Sequence, residues 1–570
     1  MKKNRLSLSF LVLIGLCSMR TEAAEANSDS DPVVADGVKS LSKVVVEEQR
    51  MKEGAALAEQ QNALNIIDVM TASDIQKLPD INAAEALRHV PGVSLWADTG
   101  EGRFVAIRGL DSDLNSTTFN GIRLLPTNPA TIFGGGRAVA LDVIPAGMIG
   151  SMVVTKTNKP EQDAEALGGT VDISPKTMPA NKSFFAQGRL GSGYEPLRDT
   201  PITDISLTTG VRFGPGNSGL KPFTFVGTVN FYTDARGIDD VEPGLNNANA
   251  NDRSLAGYDQ RYYHYHRFRH GYGGELTYQP DNKNRYYLNF FDSGYTEKKL
   301  DDILTTNFDG NATTTDNRIF TDTISDGGYQ KALVNHIERL TERMAIFGGE
   351  NEIGNMLLDY KAAHMTGEYK VLKDVTTTFN SVGSGVVTYD NSGSHPIILS
   401  ATGPDKTNPA NYFFGNYRTA LPLNKTQEDT LQANLSVPVS FISSAKEVIK
   451  FGASYRDKKY NADTTYLSGP ANAVGSPSLS NYVEGSNVVY YNKQYQNGPN
   501  LSPSLTDNLV AVGGIRQTPS NYIRTLNSHA VDKEKISAGY LQYSLEIGKL
   551  GILAGGRVEN TKGTYAGDLV

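Results

Sequence analysis

Three histidines, His264, His266 and His270, sit close together in the stretch RYYHYHRFRHGYGG, the first place to look for metal chemistry. Imidazole is the commonest metal ligand among side chains. Here the three share parity with Phe268 and Tyr272 along an alternating segment, and packing on one face of a strand accounts for them. No metal site is assigned. Two glycine-rich loops, ADTGEGR and TNPATIFGGGRAV, could cradle a phosphate. Neither leads into Gly-Lys-Ser/Thr, and no strand-to-helix crossover surrounds them. No nucleophile, base and acid converge, so no catalytic residue is assigned, no enzyme is read and no cofactor is called for. What the sequence offers instead is backbone chemistry. In LSKVVVEEQR, the β-branched run Val44-Val45-Val46 is flanked by charges. Such a strand is a target for strand addition by a partner. It is equally the first strand of the next domain, and the local pattern does not choose.

The elements that carry these residues begin with an export signal over residues 1–26. Lys2, Lys3 and Arg5 precede an apolar core from Leu6 to Leu16, and Ala23, Ala24 and Ala26 follow, with cleavage after Ala23 or Ala26. The one cysteine, Cys17, lies inside this segment, so the mature chain has none for a disulfide or a thiolate site. Residues 27–50 form a linker rich in Asp, Ser and Ala around the valine run. With 570 residues the chain exceeds one ordinary soluble core. Its net charge of −8 argues against a nucleic-acid partner. Beyond the signal no run is apolar enough for a membrane-spanning helix, which leaves a β-barrel open.

Residues 51–177 read as a small α+β domain. Helical pieces are predicted over 51–92, with Thr71 and Asp74 in a capping arrangement and Asn82 and Glu85 in a more convincing one. Pro91-Gly92 stops the second helix. Strands follow in FVAIRGL, in TTFNGIRLL around an Asn120-Gly121 turn, in MIGSMVVTKT and at Thr170–Ile173.

From residue 178 the text changes to alternating segments joined by short turns. Hairpins are predicted in TGVRFGPGNSGLKPFTFVG, LTYQPDNKNRYYLNFF, ENEIGNMLLDY, SFISSAKEVIKFGASY and SLEIGKLGILAGGRVE. Polar stretches at about 235–259, 300–336, 373–424 and 462–531 separate them. Short turns at one end and long loops at the other are the pattern of an outer-membrane barrel. In RFRHGYGGELTYQ, Phe268, Tyr272, Leu276 and Tyr278 share the parity that suits lipid. Arg267, Arg269, Glu275, Thr277 and Gln279 share the one that suits a wet lumen.

In order and at close spacing, LPDINAAEALRHVPGVSL, GRFVAIRGLDSDLNSTTFNGIRL, ALDVIPAGMIGSMVVTKT and EALGGTVDI resemble the plug domain of TonB-dependent outer-membrane receptors and transporters, most of all the oligosaccharide-scavenging branch. The resemblance implies a membrane β-barrel of 22 strands with an N-terminal α+β plug, in the Gram-negative outer membrane. About eleven strands are counted by Tyr565, so residues 178–570 are expected to be the N-terminal part of the barrel in a longer protein. By the same resemblance Ser42, Lys43, Val44, Val45, Val46, Glu47 and Glu48 hold the place of the TonB box, and TonB of the inner membrane is the partner. The implied function is TonB-dependent import of a scarce ligand, an oligosaccharide first and a ferric siderophore or other metal chelate as the alternative. A passive pore and a surface receptor are the readings of a different class. Ligand contacts are expected on the apical plug loops at Trp96, Asp98, Glu101, Arg103, Asn128, Phe133 and Arg137. The sole tryptophan beside two carboxylates suits a sugar, which presents C–H faces and hydroxyls together.

Overall fold

The computed structural model describes residues 56–568, apart from 127–135, 181, 216–220, 246–252, 443–444, 470–473 and 492. The export signal, the linker with its Ser42–Glu48 box, and the contacts expected at Asn128 and Phe133 lie outside the described residues.

The first part of the described chain packs as an α+β unit. Its elements are β1 (Ile67–Thr71), α1 (Ala72–Gln76), α2 (Ala83–Leu87), β2 (Val93–Asp98), β3 (Glu101–Ile107), β4 (Asn115–Phe119), β5 (Ile122–Arg123), β6 (Ile149–Thr155) and β7 (Gly169–Pro175). Five of the strands form a sheet in the order β1-β6-β7-β4-β5, and β2 pairs with β3 alone. Asn120 and Gly121 both take positive φ, 49° and 73°, as the two central positions of a type I′ turn require. Two expectations change. Ile67–Thr71 is a strand rather than part of a helical run, because Val69 and Met70 pair with Val153 and Met152 of β6. That pairing, far along the chain, outweighs local preference. The capping rank also reverses. Thr71 and Asp74 satisfy each other's backbone N–H groups in a full capping box. Asn82 accepts from Glu85 N at 2.9 Å, but the Glu85 carboxylate turns away to accept Gly102 N at 2.6 Å.

The rest of the chain builds a wall. Its strands are β8 (Phe184–Glu195), β9 (Thr200–Phe213), β10 (Phe223–Asp234), β11 (Gly237–Leu245), β12 (Leu255–Tyr278), β13 (Asn284–Asn307), β16 (Tyr329–Ile353), β17 (Met356–Ser381), β20 (Tyr412–Val439), β21 (Lys446–Gly469), β24 (Ala530–Ile547) and β25 (Leu550–Gly567). They follow one another antiparallel from β8 to β25, with β11 paired on β12. All five predicted hairpins are present. The inward parity of β12 is buried at Arg267, Arg269, Glu275 and Thr277, while Phe268, Tyr272, Leu276 and Tyr278 stand exposed on the outward side. Gln279 lies just past the strand and is exposed.

The long connections hold structure of their own. Strands β14 (Thr313–Thr314), β15 (Ile319–Ile324), β18 (Gly385–Asp390) and β19 (Ile397–Ala401) form a separate sheet, and β22 (Val483–Tyr490) pairs with β23 (Tyr495–Leu501). Helices α3 (Pro503–Gly513) and α4 (Pro519–Asn527) complete the layer. Its core includes Tyr258, Phe308, Phe320, Tyr389, Tyr412 and Tyr495, with Phe308 stacked on Tyr389 at 4.9 Å. The expected loops are therefore shorter than the polar stretches that marked them. The wall strands run on to Asn307, Ser381 and Gly469 and resume at Tyr329, Tyr412 and Ala530. Segments such as Thr376-Thr377-Thr378 carry similar polar side chains on both faces, so alternation cannot announce them.

Candidate functional site: the contact between plug and wall

One hydrophobic cluster joins the two parts. Leu87, Ile107, Val143, Met152 and Ile173 of the α+β unit share a core with Tyr295, Leu340 and Met365 of the wall. Beside it lies a buried ionic network centred on the β2–β3 hairpin. Glu101 Oε2 accepts from Arg267 and from Arg269, each at 2.7 Å, and its Oε1 accepts from Arg236 at 2.7 Å. Arg103 donates to Asp142 at 3.1 Å and Asp98 at 2.5 Å. Arg267 also donates to Glu297 at 2.6 Å, and Arg236 to Asp234 at 2.6 Å. Tyr295 OH lies 3.3 Å from Arg103, and the Arg267 guanidinium is stacked 4.2 Å from the Tyr295 ring centre. Every arginine here meets at least one carboxylate, as buried charges must. Burial works against the Glu101 carboxylate, but Arg269, Arg267 and Arg236 outweigh it and hold the group far below the usual carboxylate range.

A second ionic contact lies on the segment that leads into β7. Glu161, Asp163 and Glu165 alternate with uncharged residues and meet the inward rows of β21 and β25. Glu161 pairs with Lys450, Asp163 with Arg557 at 3.3 Å, and Glu165 with Arg456 at 3.0 Å and with Arg123. Burial raises the Glu161 and Glu165 carboxyls, and the neighbouring cations more than reverse it. These three acids lie just before the change of text at residue 178, and the sequence assigns them no role. Their signal is the i, i+2, i+4 spacing, which puts them on one face of an extended segment. Between β4–β7 and strands β17 to β25 a polar cavity of about 670 Å³ remains, lined among others by Arg123, Asp172, Lys361, Gln432, Asn434 and Lys450. Burial raises the Asp172 carboxyl although Thr118 and Gly121 N–H bond to it.

Of the expected ligand contacts, Trp96, Asp98, Glu101 and Arg103 are brought together on one hairpin, and Arg137 stands apart. Glu101 and Arg103 do not face an open apex. Each is only 4% exposed and is engaged by the ionic partners just described. The expectation places Glu101 and Arg103 among ligand contacts on an apical loop, but Arg267 and Arg269 of β12, Arg236 before β11 and Asp142 of the same α+β unit bury them. Trp96 packs against the plug core. Asp98 keeps 45% of its side chain exposed. Arg137 donates to Glu534 of β24 at 2.9 Å. The three histidines are separated in role: His264 and His266 are exposed on the outward parity, and His270 lies 3.5 Å from Asp292.

The profile of the TonB-dependent Receptor Plug Domain family matches residues 59–170. The vitamin B12 transporter BtuB of Vibrio vulnificus (strain YJ016) is 28% identical over 164 residues, covering 28% of this chain and 24% of that protein. The chain thus matches about a quarter of the length of that relative. Among solved structures, a point mutant of the ferric enterobactin receptor PfeA of Pseudomonas aeruginosa aligns at 10% identity with a TM-score of 0.34, over 86% of this chain and 80% of that one. The outer membrane transporter YddB of Escherichia coli aligns at 8% identity and a TM-score of 0.30, over 88% and 90%. These relatives are described as transporters and receptors, not as enzymes. Residues 59–170 match the TonB-dependent Receptor Plug Domain family, and the α+β unit they build packs against one face of a large antiparallel β-wall.

Proposed function

We propose that the protein imports a small ligand, an oligosaccharide, across the Gram-negative outer membrane, with work supplied through TonB. The observation that carries this reading is the ionic lock between Glu101 and Arg236, Arg267 and Arg269. A plug held by buried charge pairs does not drift aside, so passage needs force. Strand addition at Val44–Val46 is the route by which an inner-membrane partner would apply it. A plug packed in the wall speaks against a passive pore. The polar cavity beside β4–β7 marks where the plug is loosest against the wall and where a pulled plug would open first. The wall runs from β8 to β25 without those two strands pairing, and strands beyond this chain are proposed to close it.

Sugar is favoured because both arginines expected at the apex are matched: Arg103 by Asp98 and Asp142, Arg137 by Glu534. An anionic chelate would favour a cationic pocket. In the loop layer Tyr490, Tyr491, Tyr495 and His395 cluster with ring centres 5.3–5.9 Å apart, and Tyr491 is 40% exposed. The exposed ring of Tyr491 offers a face of the kind that stacks on sugar rings. A metal chelate or corrinoid is the second reading, supported by the likeness of the plug to a vitamin B12 transporter. Calorimetry on the full-length protein with a glycan panel, ferric chelates and cobalamin tests the choice. Heat from a glycan alone is expected. Tight chelate or cobalamin binding with no glycan response would overturn the sugar assignment.

A further inference from the structure

The polar cavity between β4–β7 and strands β17 to β25 holds two side chains that the packing leaves unfinished. Ser116 of β4 is 1% exposed and Gln542 of β24 is 7% exposed. Both line the cavity, one from the plug and one from the wall. Among the described residues neither Ser116 Oγ nor Gln542 Oε1 has a hydrogen-bond partner. Buried polar atoms are normally hydrogen-bonded, and each exception calls for a partner that the chain does not supply. Gln542, Ser544 and Leu553 stand close to the short turn between β24 and β25. The cavity is therefore a different place from the tyrosine cluster of the loop layer.

The other side chains around the cavity say what kind of partner fits. Donors and acceptors stand side by side. Lys361 donates to Asn120 O at 2.8 Å and keeps further N–H groups to give. Asp172 accepts from Thr118 Oγ1 and from Gly121 N. Asn434 donates to Asp359 at 2.7 Å and accepts from Tyr540 OH at 2.7 Å. Carboxylates and cations are equally many among the lining residues, and Glu161 and Asp163 are already paired with Lys450 and Arg557. Matched charges leave little field to draw in an ion of either sign. Leu64, Val153 and Leu553 add apolar surface. A neutral molecule that donates, accepts and presents C–H faces meets all of these, and a sugar is such a molecule. The volume of about 670 Å³ falls within the roughly 300–1,000 Å³ of small-molecule sites.

We propose that this cavity is a second saccharide site, which holds a neutral sugar unit between plug and wall with Ser116 and Gln542 as its partners from the two sides. The inference rests on the reading of the protein as a glycan importer. Its test is equilibrium dialysis of full-length protein in mild detergent against radiolabelled maltose, cellobiose and xylobiose. Wild type should bind two equivalents of a disaccharide, one in the loop layer and one in the cavity. The double exchange Ser116→Ala, Gln542→Leu should weaken one of them roughly tenfold, for a hydrogen bond lost at each side, and leave the other unchanged. Its Trp96 fluorescence should stay that of wild type. If the double exchange fails to assemble, Gln542→Leu alone should weaken the same equivalent roughly fivefold. A single equivalent, or none, on wild-type protein whose cells take up glycan overturns the proposal. So does a second equivalent that binds wild type and variant alike, or one that added salt abolishes, which would mark an ion site. Cells whose wild-type protein takes up no glycan would instead sink the reading on which the inference rests.

Discussion

Glu101 is one carboxylate among three guanidinium groups, and its worth can be measured. Exchange for glutamine keeps the shape and removes the charge. Arg267 and Arg236 retain Glu297, Asp142 and Asp234, but among the described residues Arg269 pairs with no carboxylate other than Glu101, so the loss is that of a broken buried pair, about 3–5 kcal/mol. The protein carries its own probe, because its one tryptophan, Trp96, lies on the same hairpin. Glu101→Gln should shift the urea midpoint of Trp96 fluorescence to lower denaturant. The pH dependence has a definite sign. A carboxylate whose pKa is depressed by the fold stabilises it above the unfolded pKa, about 4.3, and loses that contribution as pH falls. The wild-type plug should therefore weaken below about pH 4, and Glu101→Gln should show a shallower acid slope. An unchanged midpoint and slope would mean that the lock lies elsewhere. The sequence made Glu101 and Arg103 visible as charges beside a glycine turn. Arg267 and Arg269, the partners of Glu101, were visible too, as lumen-facing residues of one strand. Nothing local joins the two sets, since only the seating of the plug brings them within bonding distance.

At the scale of elements, patterns with a short period were legible and those without one were not. The five hairpins of the wall and the Asn120-Gly121 turn announce themselves by alternation and by turn chemistry. β1 does not, because its partner β6 lies far along the chain; the outer third of β17 does not, because Thr376, Thr377 and Thr378 put similar polar residues on both faces, and those of β13 and β20 do not, because Ile303-Leu304 and Phe413-Phe414 put apolar residues on both. Two glycines at the start of β7 are held by close approach. A Cβ at Gly168 would collide with Asn115 Oδ1, and one at Gly169 would meet the Thr155 carbonyl at 2.6 Å. Asn115 cannot easily yield, because its amide donates to Val105 O and Asp111 O, both at 3.0 Å. Gly168→Ala should disturb the parallel pairing of β4 with β7 and cost about 1–3 kcal/mol, read by the same fluorescence midpoint. The first helix offers a milder check. Thr71→Ala removes one half of a complete capping box and should cost about 1 kcal/mol. A neutral result there would mean that β1 pairing alone fixes the start of α1.

At the scale of the whole molecule the proposed function raises two questions, how a plug would be moved and how the wall would be closed. For the first, strand addition needs backbone N–H groups that proline lacks. Val45→Pro in the full-length protein should abolish uptake and leave surface binding of ligand nearly intact, and transport at the wild-type rate would place the box elsewhere. For the second, the outward faces of the wall suit lipid, but β8 and β25 each keep one edge unpaired among the described residues. An unpaired edge in hydrocarbon leaves N–H and C=O groups without partners, at a cost of several kcal/mol for each group. No side-chain arrangement offsets a whole strand of them, and β25 alone runs from Leu550 to Gly567. The 570-residue chain expressed by itself should therefore fail to give a protease-resistant, heat-modifiable barrel in outer membranes. Joined to further strands that pair β25 on one side and β8 on the other, the same residues should give one. A band from the 570 residues alone that resists denaturant until boiled would mean that the edges are satisfied within the chain or by a second copy, and cross-linking between introduced cysteines on β8 and β25 would tell which.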